Sequence, residues 1–323
     1  MRISSGSNED GFALIGALAL MAILSMVVAS AVTLSQYLAA EIDTFASRAR
    51  SRYAAESVLH RTLLALENDR AKYPDRNLTP QNTAELDCRF MADGRIHNME
   101  VDDVAMKVQI FDAMTGLDLS GPNPARQLLY TTQDTARREL LERMANRLND
   151  YADNDSLVRK DGMEKLQYQM QNIPHLPRND PLQFREEARW VPELRNEYPD
   201  LTDGRWDCFR VIAPERMRTL AGRPNLYATP VALLAERCRL NRQEAALLQT
   251  SLRQWQEAGI PLQESLPPSV WSKLSSYFST MESGLYTIRI KGANPEYPAA
   301  TLSATIQLNS YSPKLEFYEF TSF

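Results

Sequence analysis

From Gly11 to Ala40 the chain carries no charged side chain. The apolar part of that run, Phe12 to Leu34, exceeds the roughly 20 residues that a helix needs to cross a bilayer. A chain that begins this way has one membrane-competent helix near its N-terminus, and the rest must be carried on it. Past Glu41 the composition is that of a water-soluble domain, and mean hydropathy over the whole chain is negative. A net charge of -5 over 323 residues lacks the basic footprint that phosphate binding needs, so no nucleic-acid partner is expected. The cysteines are Cys88, Cys208 and Cys238. In an oxidising compartment one pair can form; Cys208 with Cys238 is the pair expected, and three unlinked thiols fit the count as well.

The helical pattern outlasts the apolar run. Leu34, Leu38, Ile42, Phe45, Ala49 and Tyr53 recur at spacings of three and four, followed by Leu59, Leu63 and Leu66, which predicts a stem helix with one buried stripe. Tyr73-Pro74 ends it, because proline disfavours helix at the residue before it. A helix from Phe12 to Tyr73 would be roughly 90 Å long. A membrane anchor followed by an ordinary core helix would show the same stripe.

Strand alternation is first seen at Val104 to Phe111. It returns only at Tyr286 to Lys291, Leu302 to Leu308 and Leu315 to Phe320. Between the halves lie helical patterns at Thr135 to Leu148, Pro230 to Leu240, Gln243 to Ala258 and Pro268 to Met281. The expected fold class is α+β: a long N-terminal helix plus a small antiparallel sheet, with a large all-α domain inserted after the first strand. The expected division is 1–11 for a polar leader, 12–73 for the transmembrane and stem helix and 74–115 for the first part of the sheet domain. The helical insertion takes 116–283 and the remaining strands 284–323.

Gly11-Phe12-Ala13-Leu14-Ile15 behind a short polar leader resembles the cleavage site of type IV pilin-like prepilins. The resemblance implies cleavage after Gly11 by prepilin peptidase and N-methylation of Phe12. It departs in the acidic Glu9-Asp10 before the site and in Gly16, which stands at the fifth mature position where most pilin-like proteins have Glu. Absence of that Glu is characteristic of the K-class minor pseudopilins of type II secretion. The insertion carries the same likeness. Asn149-Asp150-Tyr151-Ala152-Asp153-Asn154-Asp155, then Gly162-Met163-Glu164 and Tyr168, is similar to the K-class Asp-Trp-x-Asp-x-Asp … Gly-x-Glu … Tyr signature. Pro177-Arg178-Asn179-Asp180-Pro181-Leu182, Asn225-Leu226-Tyr227-Ala228-Thr229 and Leu274-Ser275-Ser276-Tyr277-Phe278 follow in family order.

What the resemblance implies is mechanical work. A K-class pseudopilin would be a single-pass inner-membrane protein with its large domain in the periplasm. With I- and J-class minor pseudopilins it would form the tip of the pseudopilus, initiate its assembly and help drive folded proteins through the outer membrane. Charge bias does not place the domain, since Arg2 precedes the helix while Arg48, Arg50 and Arg52 follow it.

Asp150, Asp153, Asp155 and Glu164 gather four carboxylates in fifteen residues. Hard cations such as calcium take six to eight oxygens, often from one flexible loop, and the resemblance implies calcium in the inserted domain. A solvated acidic loop accounts for the same residues. Asn225 to Leu248 resembles a helix-hairpin-helix, but its turn, Cys238 to Arg242, lacks the glycines that let backbone amides approach phosphate. His60, His97 and His175 lie far apart with no zinc-motif spacing, and there is no Gly-x-Ser-x-Gly or phosphate loop, so an enzyme is not expected. Two other functions share the membrane helix: a minor pilin of a type IV pilus or DNA-uptake machine, and a membrane-anchored periplasmic enzyme.

Overall fold

A computed structural model describes residues 9–78, 89–119, 135–183, 185–197, 209–211, 223–292, 300–308 and 313–322. Glu9–Lys72 is one α-helix (α1) of 64 residues, about 96 Å long at 1.5 Å per residue. Tyr73 still donates its N–H to the Asp69 carbonyl at 2.8 Å, and Pro74 stops the next turn. From Leu14 through Ile42 the described side chains are exposed, and this part is long and apolar enough to cross a membrane.

The buried stripe of α1 is shorter than its spacing predicts. It runs through Ser51, Ala54, Ala55, Val58, Leu59, Thr62 and Leu66, whereas Phe45 and Tyr53 are 75% and 68% exposed. Small residues face the sheet at Ala54 and Ala55, and they let the helix backbone approach it closely.

Among the described residues the sheet has five antiparallel strands, Asp93–Val101 (β1), Val104–Asp112 (β2), Leu285–Gly292 (β5), Ala300–Leu308 (β6) and Pro313–Ser322 (β7), in the order β1-β2-β5-β6-β7. The strand expected to be first is therefore second. β1 hides from a pattern search because Asp93 and Arg95 occupy buried positions as an ion pair, with Arg95 Nε 2.7 Å from Asp93 Oδ2. Its hairpin with β2 turns at Asp102 and Asp103, whose φ values of 49° and 63° match the two positive values of a type I′ turn. One face of the sheet, with Val108, Ile110, Ile288, Ile290, Leu302, Ala304 and Ile306, closes on the α1 stripe.

The insertion hangs between β2 and β5, which are neighbours paired from Met106↔Gly292 to Asp112↔Tyr286. Its first half packs Thr135–Ala152 (α2), Lys165–Met170 (α3), a 3-10 turn at Arg185–Trp190 and Pro192–Glu197 (α4) around Met144, Leu148, Tyr168 and Val191. Its second half packs Val231–Arg237 (α5), Arg242–Ala258 (α6), Leu262–Ser265 (α7) and Pro268–Tyr277 (α8) around Trp255. It is not wholly helical. Leu117–Asp118 (β3) and Phe209–Arg210 (β4) form a short parallel pair.

The second half also contains Leu78 and Met91, which belong to the segments following the stem and preceding β1. The second half of the insertion therefore packs against the segments that join the stem to β1. A buried ion network fastens it there. Glu282 Oε2 accepts from Arg76 Nε at 2.7 Å and from the Tyr286 hydroxyl at 2.8 Å, while its Oε1 accepts the Ala92 N–H at 2.5 Å. Arg76 also donates to the Phe90 carbonyl at 2.7 Å and to Asp69, which is shared with Arg89 Nε at 3.2 Å. Removing one partner from a buried pair leaves the other charge uncompensated. Glu282→Gln should therefore lower stability by about 3–5 kcal/mol, read as a large fall in the thermal midpoint of the detergent-solubilised chain. A surface exchange such as Glu56→Gln, in an exposed i,i+4 pair with Arg52, should change it by about 1 kcal/mol or less.

Candidate cation site

The acidic residues expected to act together lie where α2 ends and the chain loops back to α3. α2 brings Asp150 to its last turn, and Asp153, Asp155 and Glu164 follow within the loop. Carboxylates at the C-terminus of a helix face the negative end of its dipole, so this location favours a cation among them. One oxygen from each of Asp153, Asp155 and Glu164 lies within 4.8 Å of the others. Oxygens that bind one calcium ion lie within about 4.8 Å of one another, so the three are close enough to share one ion.

Glu164 is the informative member. It is 4% exposed, and its carboxylate, at the N-cap of α3, has only the loose approach of the first-turn N–H groups to satisfy it; Asp153 Oδ1 is buried without a donor. Buried carboxylate oxygens are normally satisfied, so under-satisfied ones on two neighbouring carboxylates fit a cation better than a solvated loop. Burial, and then the charges of Asp150, Asp153 and Asp155, push the Glu164 carboxyl up to about 7.

Asp150 stands apart from the trio. It is fully buried, its Oδ1 accepts from Arg159 Nη1 at 2.6 Å, and its Oδ2 accepts the Arg159 backbone N–H at 3.1 Å. Arg159 also bonds Asp153. Gly162 closes over the pair: a Cβ there would lie 2.0 Å from Asp150 Oδ2. The loop is laced from outside by Asn146 Nδ2 to the Lys160 carbonyl at 2.9 Å and Arg147 Nε to the Asp161 carbonyl at 3.0 Å. Asn179, from the Pro-x-Asn segment, reaches the Asp155 carbonyl at 3.3 Å. Spacing along the chain marks the carboxylates but not Arg159, whose part depends on the loop turning back. Gly162 was visible as a motif residue, and its reason is this close approach.

The other singled-out residues are dispersed. The backbone of α1 runs through Gly11 and Phe12 as helix, and Gly16 has nothing within 4 Å of the position a Cβ would take. Cys238 is a free, buried thiol, its Sγ 3.6 Å from the Lys273 carbonyl, and burial pushes it up to about 11. Its expected partner Cys208, and Cys88, lie outside the described residues. α5 and α6 form the predicted hairpin, with Asn241 capping α6 through 2.9 Å bonds from Gln243 and Glu244 N–H. Arg239 holds φ at 52° in its turn.

A protein-family model described as type II secretion system (T2SS), protein K, matches residues 120–200. That span includes α2, the acidic loop, α3 and α4. No curated protein matches the chain.

Two outcomes test the site. Gly162→Ala should displace Asp150 and Arg159 and destabilise the protein by about 1–3 kcal/mol, as overpacking does, seen as a lower thermal midpoint. For pH, the ordinary Glu value is 4.5 and the folded value about 7, so folding favours the protonated form. Its stabilising effect is complete below about pH 4.5 and is lost as pH rises through about 7. In chelator, the thermal midpoint should fall between pH 5 and 8 in the parent chain and fall less in Glu164→Gln, which cannot ionise.

Proposed function

We propose that this chain, which a type II secretion protein K family model matches over residues 120–200, is a K-class minor pseudopilin and works at the tip of the pseudopilus. There it would initiate assembly with I- and J-class minor pseudopilins and help push folded proteins through the outer membrane. The observation that carries the reading is the seat of the insertion. Leu78 and Met91 bind its second half to the segments that join the stem to β1, so another subunit stacked there would meet the insertion. Gly16 supports it: a subunit with no carboxylate in this part of the apolar helix has no charge to offer the N-terminus of a neighbour above it, and no buried charge to compensate in lipid.

The exposed apolar helix would hold the large domain on the periplasmic face of the inner membrane until assembly draws the subunit into the filament. Cleavage after Gly11 by prepilin peptidase and methylation of Phe12 would prepare the helix for that step. Calcium in the loop of Asp153, Asp155 and Glu164 would offset three clustered negative charges and stiffen the insertion. No catalytic role is assigned, in keeping with a structural family.

Two measurements test this. Full-length chain extracted in detergent should co-purify with the I- and J-class partners as one complex, and recovery of the chain alone would count against the tip. Mass spectrometry of the mature protein should find a methylated Phe12 at its N-terminus; an intact Met1 would favour a simple anchored protein.

A further inference from the structure

The geometry points to Arg159 as a built-in counter-ion that competes with calcium for the acidic loop and so sets its affinity; this rests on the calcium reading above. Four carboxylates gathered at a helix C-terminus repel one another, and an ion-free loop needs a positive charge to stay closed. Arg159 supplies it. Its guanidinium bonds Asp150 and Asp153 together, and its backbone N–H takes the second oxygen of Asp150.

Both oxygens of Asp150 are thereby engaged, and Gly162 lies against one of them. Asp150 is thus an anchor for Arg159 rather than a ligand, and the oxygens left for an ion belong to the close trio of Asp153, Asp155 and Glu164, of which Asp155 Oδ1 also accepts the Leu157 N–H at 2.8 Å. Asp153 is the contested group. Its Oδ2 bonds Arg159 while its Oδ1 is bare, so an ion at the trio and the guanidinium would face each other across one carboxylate. Like charges at that range oppose each other strongly in a partly buried site. The Arg159 side chain is 38% exposed, which gives the guanidinium a route to solvent when a divalent ion draws Asp153 away. Arg159 is a positioning residue that closes the loop without an ion and weakens the ion's hold when one arrives.

The test uses the full chain in detergent, with calcium chloride titrated calorimetrically and thermal midpoints taken in chelator and in calcium. Arg159→Gln should bind calcium roughly tenfold or more tightly, the scale on which a neighbouring charge shifts an ionic equilibrium, and should lose thermal stability in chelator while regaining it in calcium. Arg159→Lys keeps the charge and should bind calcium with near-parental affinity. Tight binding by Arg159→Gln where the parent binds too weakly to detect would support the inference outright. Equal or weaker binding by Arg159→Gln than by the parent would overturn it and leave the calcium reading standing. No binding by parent or either variant would overturn both.

Discussion

The carboxylate of Glu282 is the interaction on which the architecture depends. It is buried at the point where the insertion returns to the sheet, and it accepts from Arg76 beyond the stem, from Ala92 before β1 and from Tyr286 in β5. One side chain beside β5 thus reaches two segments that lie 206 and 190 residues earlier in the chain. Buried charges are stabilising only when their lone pairs and protons are well matched, and here Asp69, Arg89 and the Phe90 carbonyl supply most of the match, with Arg89 Nη2 left buried without an acceptor. Beside it the neck is closed by Asp112, whose carboxylate takes the Ser283 N–H and hydroxyl at 2.7 and 2.6 Å. An insertion between adjacent strands would otherwise hang on two chain crossings. The network instead makes its second half continuous with the end of the stem.

The same logic operates at smaller scale in the acidic loop. There the match is thinner: Arg159 satisfies Asp150 and part of Asp153, while the buried Glu164 carboxylate has only the first turn of α3 beside it. Two guanidinium groups face the carboxylates of Glu282 and Asp69, whereas the loop's ion pairs reach one guanidinium, that of Arg159. That imbalance is what the proposed cation would correct.

Much of this was legible in the sequence. Thirty uncharged residues cannot be hidden, and the alternation of β5 and β6 stands out because one face is apolar; that of β2 is imperfect in sequence, though its burial alternates in the fold. The division into a stem, a split sheet and a helical insertion followed from those two periods. What escaped did so for physical reasons. β1 carries Asp93 and Arg95 at buried positions, and a charge that is paired in space reads as exposed in sequence. The stem stripe was extended to Phe45 and Tyr53 because periodicity shows an apolar face but not where its partner begins. At the candidate site the carboxylates were visible by density. Arg159 was not, since its role exists only once the loop has folded back on α2.

In the proposed function, an insertion packed against the chain that leaves the stem would make this subunit a terminal one. Immunogold electron microscopy of sheared pseudopili, assembled with a chain that carries an epitope within the insertion, tests this. A terminal subunit gives gold at one end of each filament and none along its length. Gold distributed along the filament would contradict the terminal position, because subunits would then be stacking past the insertion.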